Sequence, residues 1–220
     1  MVELNNILKK YTKGTETFTA LENISLKIKK GDFCSVIGPS GAGKSTLLYI
    51  IGGLIRPNSG TVLYNGNDLY RQSNKDINLF RKKHLGFMFQ QFHLMPYLTV
   101  FENIRLACYD KRQMVDISYY LETCSLTGMK NKYPSELSVG EKQRTAFIRA
   151  IISKPALLLA DEPTGNLDPG NSAVLKALIE EYHKNGGTVV LVSHNPVVAG
   201  YSNLIIKLEK GRILTPVHRI

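Results

Sequence analysis

The sequence predicts an α/β fold: a mostly parallel sheet with helices on both faces, a flanking antiparallel β part and an inserted helical subdomain. Three observations predict it. Short runs rich in Val, Ile and Leu, "FCSVIG", "ALLLAD" and "TVVLVSH", read as buried parallel strands. Two other runs look like half-exposed antiparallel strands: Asn23 to Ile28 alternates apolar and polar residues, and Gly60 to Gly66 ends in an Asn-Gly turn. From Phe92 to Ser153 the pattern is mostly helical. The expected organisation is one domain, with a sheet-containing core over 1–91 and 154–220 and a helical subdomain over 92–153.

At 220 residues the chain is long enough for a proper core. It is 43% hydrophobic and 21% charged, which excludes a disordered or fibrous chain. A formal net charge of +10 favours anionic partners such as nucleotides, nucleic acid or lipid headgroups. The basic residues are spread, however. The densest run, Arg81-Lys82-Lys83, is short and reads as solvated surface, so no nucleic-acid partner is expected. Cys34, Cys108 and Cys124 lack metal-site spacing and form no disulfide framework, which points to a reducing, cytosolic setting. The opening "MVELNNILKKY" lacks the basic-then-apolar order of a secretion signal. The longest apolar run, "LLYIIGGLI", falls well short of the ~20 residues a spanning helix needs. Any membrane role is therefore expected to come through a partner.

The parallel strands are informative for where they stop. The first runs through Gly38 into "PSGAGKST", the second ends at Asp161 with Glu162 after it, and the third ends at His194. Ligands of open α/β sheets bind beyond the carboxyl ends of the strands. Lys44, Asp161, Glu162 and His194 are thus expected at one edge. Gly38 to Ser45 matches G-x-x-x-x-G-K-[ST], with an apolar strand before it and a helix, "KSTLLYII", after it. This predicts a P-loop NTPase core. Its glycines, Gly38, Gly41 and Gly43, let backbone N–H groups approach phosphates, and the helix start adds positive potential. Lys44 neutralises the β and γ phosphates, and the Ser45 hydroxyl ligates Mg²⁺. Asp161 fits the carboxylate that holds Mg²⁺, and Glu162 beside it fits a group that polarises the attacking water. His194, otherwise an ordinary strand-end histidine, fits a γ-phosphate contact.

Helix starts elsewhere are equally legible. Thr99 and Glu102 form a capping-box pattern before "VFENIRLA". "LSVGEKQR", Leu137 to Arg144, offers another with Ser138 and Glu141. A cap explains those two residues but not Gly140, a poor helix former that suits close approach to the backbone. The stretch therefore also reads as a phosphate site without a cradle of its own. A two-fold dimer resolves this: each Ser138 helix closes over the nucleotide held by the other copy's Lys44 loop.

The ordered set "GPSGAGKST", "FQQ", "LSVGEKQR", "LLLADEPTGNLD" and "SH" resembles the ATP-binding-cassette (ABC) transporter ATPases over essentially the whole chain. "ADEPTGNLD" and "GFMFQQFHLMPYLTVFENI" are similar to the subgroup serving lipoprotein release, macrolide or antimicrobial-peptide export, and cell division. The resemblance implies an ATPase with ATP and Mg²⁺ as ligands. It implies that Tyr11 stacks on adenine and that Ser40 to Thr46 wrap the phosphates. Gln90 would reach Mg²⁺ and the attacking water, and Glu162 would be the general base. Ser138 and Gly140 would serve the opposite subunit's ATP, Asp168 would cross the dimer interface, and His194 would be the switch histidine. A second copy of the chain and a transmembrane permease are the implied partners, at the cytoplasmic face of the membrane.

The signature departs from the common L-S-G-G-Q form at Val139, Glu141 and Lys142. Val139 stiffens the turn, and Glu141 brings negative charge near an anion unless it points back into its own cap. "FHLMPYL", Phe92 to Leu98, reads either as core packing or as a groove for a permease helix. A mechanotransmitting ATPase of cell-division type remains open, because that distinction lies in the membrane partner. A soluble DNA-repair or translation cassette is disfavoured by the lack of coiled coils, zinc inserts or a second cassette. A nucleotide kinase would leave "LSVGEKQR" unexplained.

Overall fold

The computed structural model describes residues 1–108, 111–165, 167–194 and 202–219, with backbone alone at 111–115 and 215–219. They form two compact units, residues 1–81 with 188–220, and residues 82–187.

In the first unit β1 (Val2–Lys13) and β2 (Glu16–Ile28) pair antiparallel. Strand β4 (Ser59–Tyr64) pairs antiparallel with β1, and the short β5 (Asn67–Asp68) with β4. The Asn-Gly signal is a real turn: Asn65 and Gly66 have φ of 49° and 86°, which suits a two-residue hairpin. The length of β1 was hidden because bulges break its alternation. Asn6 and Asn23 both sit at positive φ, and the β1–β2 register shifts around Ile7. The apolar strands behave as expected. β3 (Phe33–Ile37) pairs in parallel with both β8 (Thr188–Ser193) and β9 (Leu204–Glu209), and β9 turns back antiparallel into β10 (Arg212–Arg219). Helix α1 (Lys44–Ile51) follows β3, with Leu47, Leu48, Ile50 and Ile51 all 0% exposed. Each such side chain contributes roughly 1.5–3 kcal/mol, so α1 is held rigidly at the end of β3. Helix α2 (Asn74–His84) buries Ile77, and Arg81 Nη1 donates to the Gly53 carbonyl at 2.7 Å.

In the second unit β6 (Leu85–Met88) and β7 (Leu157–Asp161) pair in parallel. Its helices are α3 (Val100–Arg105), α4 (Lys111–Thr123), α5 (Val139–Ile151) and α6 (Pro169–Lys184). Val100, Ile104, Phe147, Ile148, Leu158 and Ile179 are buried in its core. The helical expectation after Gln91 holds for α3, α4 and α5. Phe92 to Met95 lack regular structure. A fully buried Asn103 organises the stretch from Met95 to Thr99: its Oδ1 accepts from the Met95 N–H, and its Nδ2 donates to the carbonyls of Met95, Leu98 and Thr99.

Three helices of this unit start on side-chain caps. Thr99 with Glu102, and Ser138 with Glu141, form reciprocal capping boxes, and Asp168 accepts from the Asn171 N–H. The carboxylates carry a pH signature. The Thr99 backbone N–H and then its hydroxyl hold Glu102 below the ordinary range, as those of Ser138 hold Glu141. The Asn171 backbone N–H and then its side-chain amide do the same for Asp168. A pKa lowered on folding stabilises the native state above the unfolded value of roughly 4 and is lost as pH falls through the folded value. Urea midpoints should therefore fall as pH drops below about 4. The Glu102→Gln/Glu141→Gln double variant should show a shallower fall; an unchanged acid slope would contradict this.

Candidate functional site

The first unit presents the Gly-rich loop. β3 stops at Ile37 and α1 begins at Lys44, after Gly43 at φ 100°. No side chain caps α1, and its first turn has no acidic residue. The positive end of this helix is therefore met by no side-chain acceptor and no carboxylate of its own first turn, which suits an anion. The motif glycines divide their work. A Cβ on Gly38 would overlap the Leu208 carbonyl, and one on Gly43 the Ala20 carbonyl, whereas Gly41 has open space around it. All three are thus favoured by the fold itself, two for lack of room and Gly41 by its φ of 77°, beyond the phosphate approach expected from sequence. Lys44 is 6% exposed, and its ammonium donates to the carbonyls of Gly38 and Pro39 at 2.9 Å each. Ser45 and Thr46 follow in the same first turn. His194, just past β8, lines a shallow cavity of about 290 Å³ with Gly38, Pro39, Lys207 and Glu209. Tyr11 is 39% exposed on β1, with the Lys9 ammonium 5.1 Å from its ring centroid.

The second unit presents the carboxylates. Asp161 ends β7 and is 1% exposed. Glu162 has φ 44°, a left-handed conformation that is uncommon for a residue with a side chain. Such strain clusters at working sites. Gln90 lies two residues beyond β6, and the segment after it is clamped from α5. Arg149 Nη1 and Nη2 donate to the His93 and Phe92 carbonyls at 2.7 Å each. From the same helix Gln143 donates to the Pro163 carbonyl, and Arg144 Nη1 donates to Asn171 Oδ1 at 2.7 Å.

The helix start at Ser138 resolves two questions raised by its departures. The Glu141 carboxylate is committed to its own cap, accepting from the Ser138 N–H at 2.7 Å, so it points back rather than outward. Val139 is 46% exposed. The Ser138 hydroxyl is engaged in the same box: its oxygen accepts from the Glu141 N–H at 3.3 Å, and it bonds the Glu141 carboxylate. Gly140 meets the Asn171 carboxamide, which a Cβ would overlap.

The model of the ABC transporter family matches residues 21–165. The chain belongs to that family. It is an ABC ATPase cassette. It is 38% identical over 219 residues to the lipoprotein-releasing system ATP-binding protein LolD of Buchnera aphidicola, covering 97% of this chain and 96% of LolD. It is 36% identical over 225 residues to the bacitracin export ATP-binding protein BceA of Halalkalibacterium halodurans, covering 100% of this chain and 89% of BceA. Its fold matches a dimeric post-hydrolysis structure of the ATP-binding cassette MJ0796 bound to ADP and Pi. The TM-score is 0.92 at 35% identity, with 100% of this chain and 98% of that one covered.

Within the cassette, Tyr11, the residues from Gly38 to Thr46 and His194 belong to the first unit. Gln90, Ser138, Gly140, Asp161, Glu162 and Asp168 belong to the second. Asn103, Gln143, Arg149 and Asn171 were not picked out from sequence. Their targets are mostly backbone carbonyls and N–H groups, which leave no mark on composition or spacing.

The strain at Glu162 is measurable. Glu162→Gly should raise stability by up to about 1 kcal/mol in urea unfolding, because glycine takes a left-handed φ without a Cβ clash. Glu162→Ala should give no such gain; equal effects of the two substitutions would contradict the strain.

Proposed function

We infer that the cassette binds ATP with Mg²⁺ between two copies of itself, hydrolyses it to ADP and phosphate, and passes the resulting motion to a membrane permease. The observation that carries the reading is the start of α1: uncapped, free of acidic side chains, preceded by the Gly-rich loop and accompanied by a buried Lys44. Ser40, Gly41, Gly43 and Thr46 wrap the phosphates, and Lys44 offsets the β and γ charge. Tyr11, an exposed ring on β1, stacks on adenine. The metal's donors fit this chain. Ser45 offers a hydroxyl and Asp161 a buried carboxylate, hard oxygen donors of the kind that suit an ion completed by phosphate oxygens and water. Ser45, Gln90 and Asp161 would hold Mg²⁺, which supplies neutralisation of the phosphate charge.

Glu162 orients a water and takes its proton as the oxygen bonds to the γ phosphorus. ADP leaves, and His194 and Lys44 hold the γ oxygens. Ser138, Gly140 and Asp168 act on the nucleotide of the other copy. The dimeric, ADP-bound and Pi-bound state of the MJ0796 relative supports this arrangement. The membrane partner is supported by the transport names of the LolD and BceA relatives. No helix among the described residues is long and apolar enough to cross a membrane. In this reading attachment is through the permease at the cytoplasmic face, and the substrate belongs to the export or lipid-extraction class, in line with the names of those relatives. The segment after Gln90 is the proposed docking region: Tyr97 is 71% exposed there, and Leu98 is half-buried beside it.

Glu162→Gln should slow hydrolysis about 10²–10⁴-fold in a phosphate-release assay, and normal turnover would refute the base. Lys44→Ala should weaken ATP binding in a titration, against which unchanged affinity would count. Leu98→Asp should abolish co-purification with the permease while leaving basal hydrolysis intact; retained co-purification would move the docking region elsewhere.

A further inference from the structure

Gly140 and Asp168 both fall in stretches that the proposed sandwich turns toward the other copy's ATP, and one side chain joins them. Asn171, in the first turn of α6, is fixed from three directions. Its backbone N–H donates to Asp168 Oδ1 at 3.0 Å, and its Nδ2 donates to Asp168 Oδ2 at 2.6 Å. Its Oδ1 accepts from Arg144 Nη1 at 2.7 Å. Arg144 sits on α5 four residues after Gly140, one turn along, so it and the glycine face the same neighbour. The carboxamide lies against the Gly140 backbone so closely that a Cβ there would overlap its Oδ1, Cγ and Nδ2. The buried Nε of Arg144 has no hydrogen-bond partner.

We propose that Asn171 is a positioning residue that fastens the Ser138 helix start to the Asp168 loop, so that both meet the partner copy's ATP as one block. Gly140 is glycine because Asn171 occupies the space of its Cβ. This rests on the ATP sandwich and adds to it. The two bonds are of different kinds. Arg144 to Asn171 is charge-assisted on the donor side, and Asn171 to Asp168 is charge-assisted on the acceptor side, so each is stronger than a neutral pair. A neutral carboxamide is what can serve both: it accepts from a cation with one end and donates to an anion with the other. An aspartate at this position would keep the first bond and lose the second.

The test is a double-mutant cycle on the full chain: wild type, Gly140→Ala, Asn171→Ala and the double variant. Each is assayed for kcat, for the KM of ATP, and for ATP-dependent dimers in a Glu162→Gln background. Gly140→Ala alone should lower kcat about tenfold or more, because the new methyl expels the carboxamide and breaks both its bonds. Adding Asn171→Ala should bring the double variant to about the level of Asn171→Ala by itself, within roughly threefold. Losses that instead multiply would mean that the ligand, not Asn171, demands the glycine, and would overturn the proposal. Asn171→Asp supplies an arm that does not depend on cavity creation. It should weaken ATP-dependent dimers at least as much as Asn171→Ala, with the ATP affinity of the monomer unchanged; wild-type dimerisation in Asn171→Asp would also overturn it. In nucleotide-free protein, amide exchange at Glu141 and Lys142 should speed up in Asn171→Ala, and unchanged exchange would contradict the fastening. Absence of ATP-dependent dimers in Glu162→Gln itself would sink the sandwich, whereas dimers there with multiplying losses in the cycle sink only the brace.

Discussion

The first N–H groups of a helix have no partners within the helix and must find acceptors elsewhere. This chain meets that constraint in two ways, and its function depends on the difference. Helices α2, α3, α5 and α6 start on side-chain acceptors, Ser73, Thr99, Ser138 and Asp168. Helix α1 has glycine in that place and no carboxylate in its first turn. Among the described helix starts four take a side-chain acceptor, and α1 takes none. The rigidity of that one exception comes from burial: four apolar side chains of α1 have no exposure, so the loop before it cannot collapse onto the helix start.

Helix α5 answers the second half of the problem, which is how scattered residues are held in register. Besides its cap, it reaches three separate segments: Arg149 holds Phe92 and His93, Gln143 holds Pro163, and Arg144 holds Asn171. These are the segments after Gln90, after Glu162 and after Asp168. A displacement of α5 would therefore be felt next to Gln90, Glu162 and Asp168. The bonds to Phe92 and His93 are charge-assisted, so this clamp is stronger than a set of surface contacts. A permease docking at the segment beyond Gln90 would be pulling on the helix that carries Ser138. In this reading, transmission needs no long pathway, only one rigid helix with ties at both ends.

Much of this was readable from the sequence, because the relevant physics is local. The Gly-rich loop sits between an apolar strand and a helix, Ser138 is followed by Glu141 at the capping distance, and Asn65-Gly66 turns where a two-residue hairpin must. The readings that failed were of two kinds. β1 was hidden by the irregularity around Asn6, which breaks the alternation on which a strand is recognised. β6 is only four residues long and escaped notice for lack of length. The left-handed backbone at Glu162 has no sequence signal, since nothing in a glutamate announces it. Gly140 was correctly picked out as a place of close approach, and the group that approaches within the chain is Asn171, thirty-one positions away in sequence. Pairings of that kind lie beyond any local pattern.

The central claim is that each ATP is completed by two chains. Complementation tests it most directly. Lys44→Ala and Ser138→Arg chains are each expected to be inactive alone, for opposite reasons. A mixed pair would hold one site with an intact Lys44 loop from one chain and an intact Ser138 from the other. Mixing the two purified variants should therefore restore ATP hydrolysis well above the sum of the separate activities. A mixture no more active than that sum would show that each site is complete within its own chain.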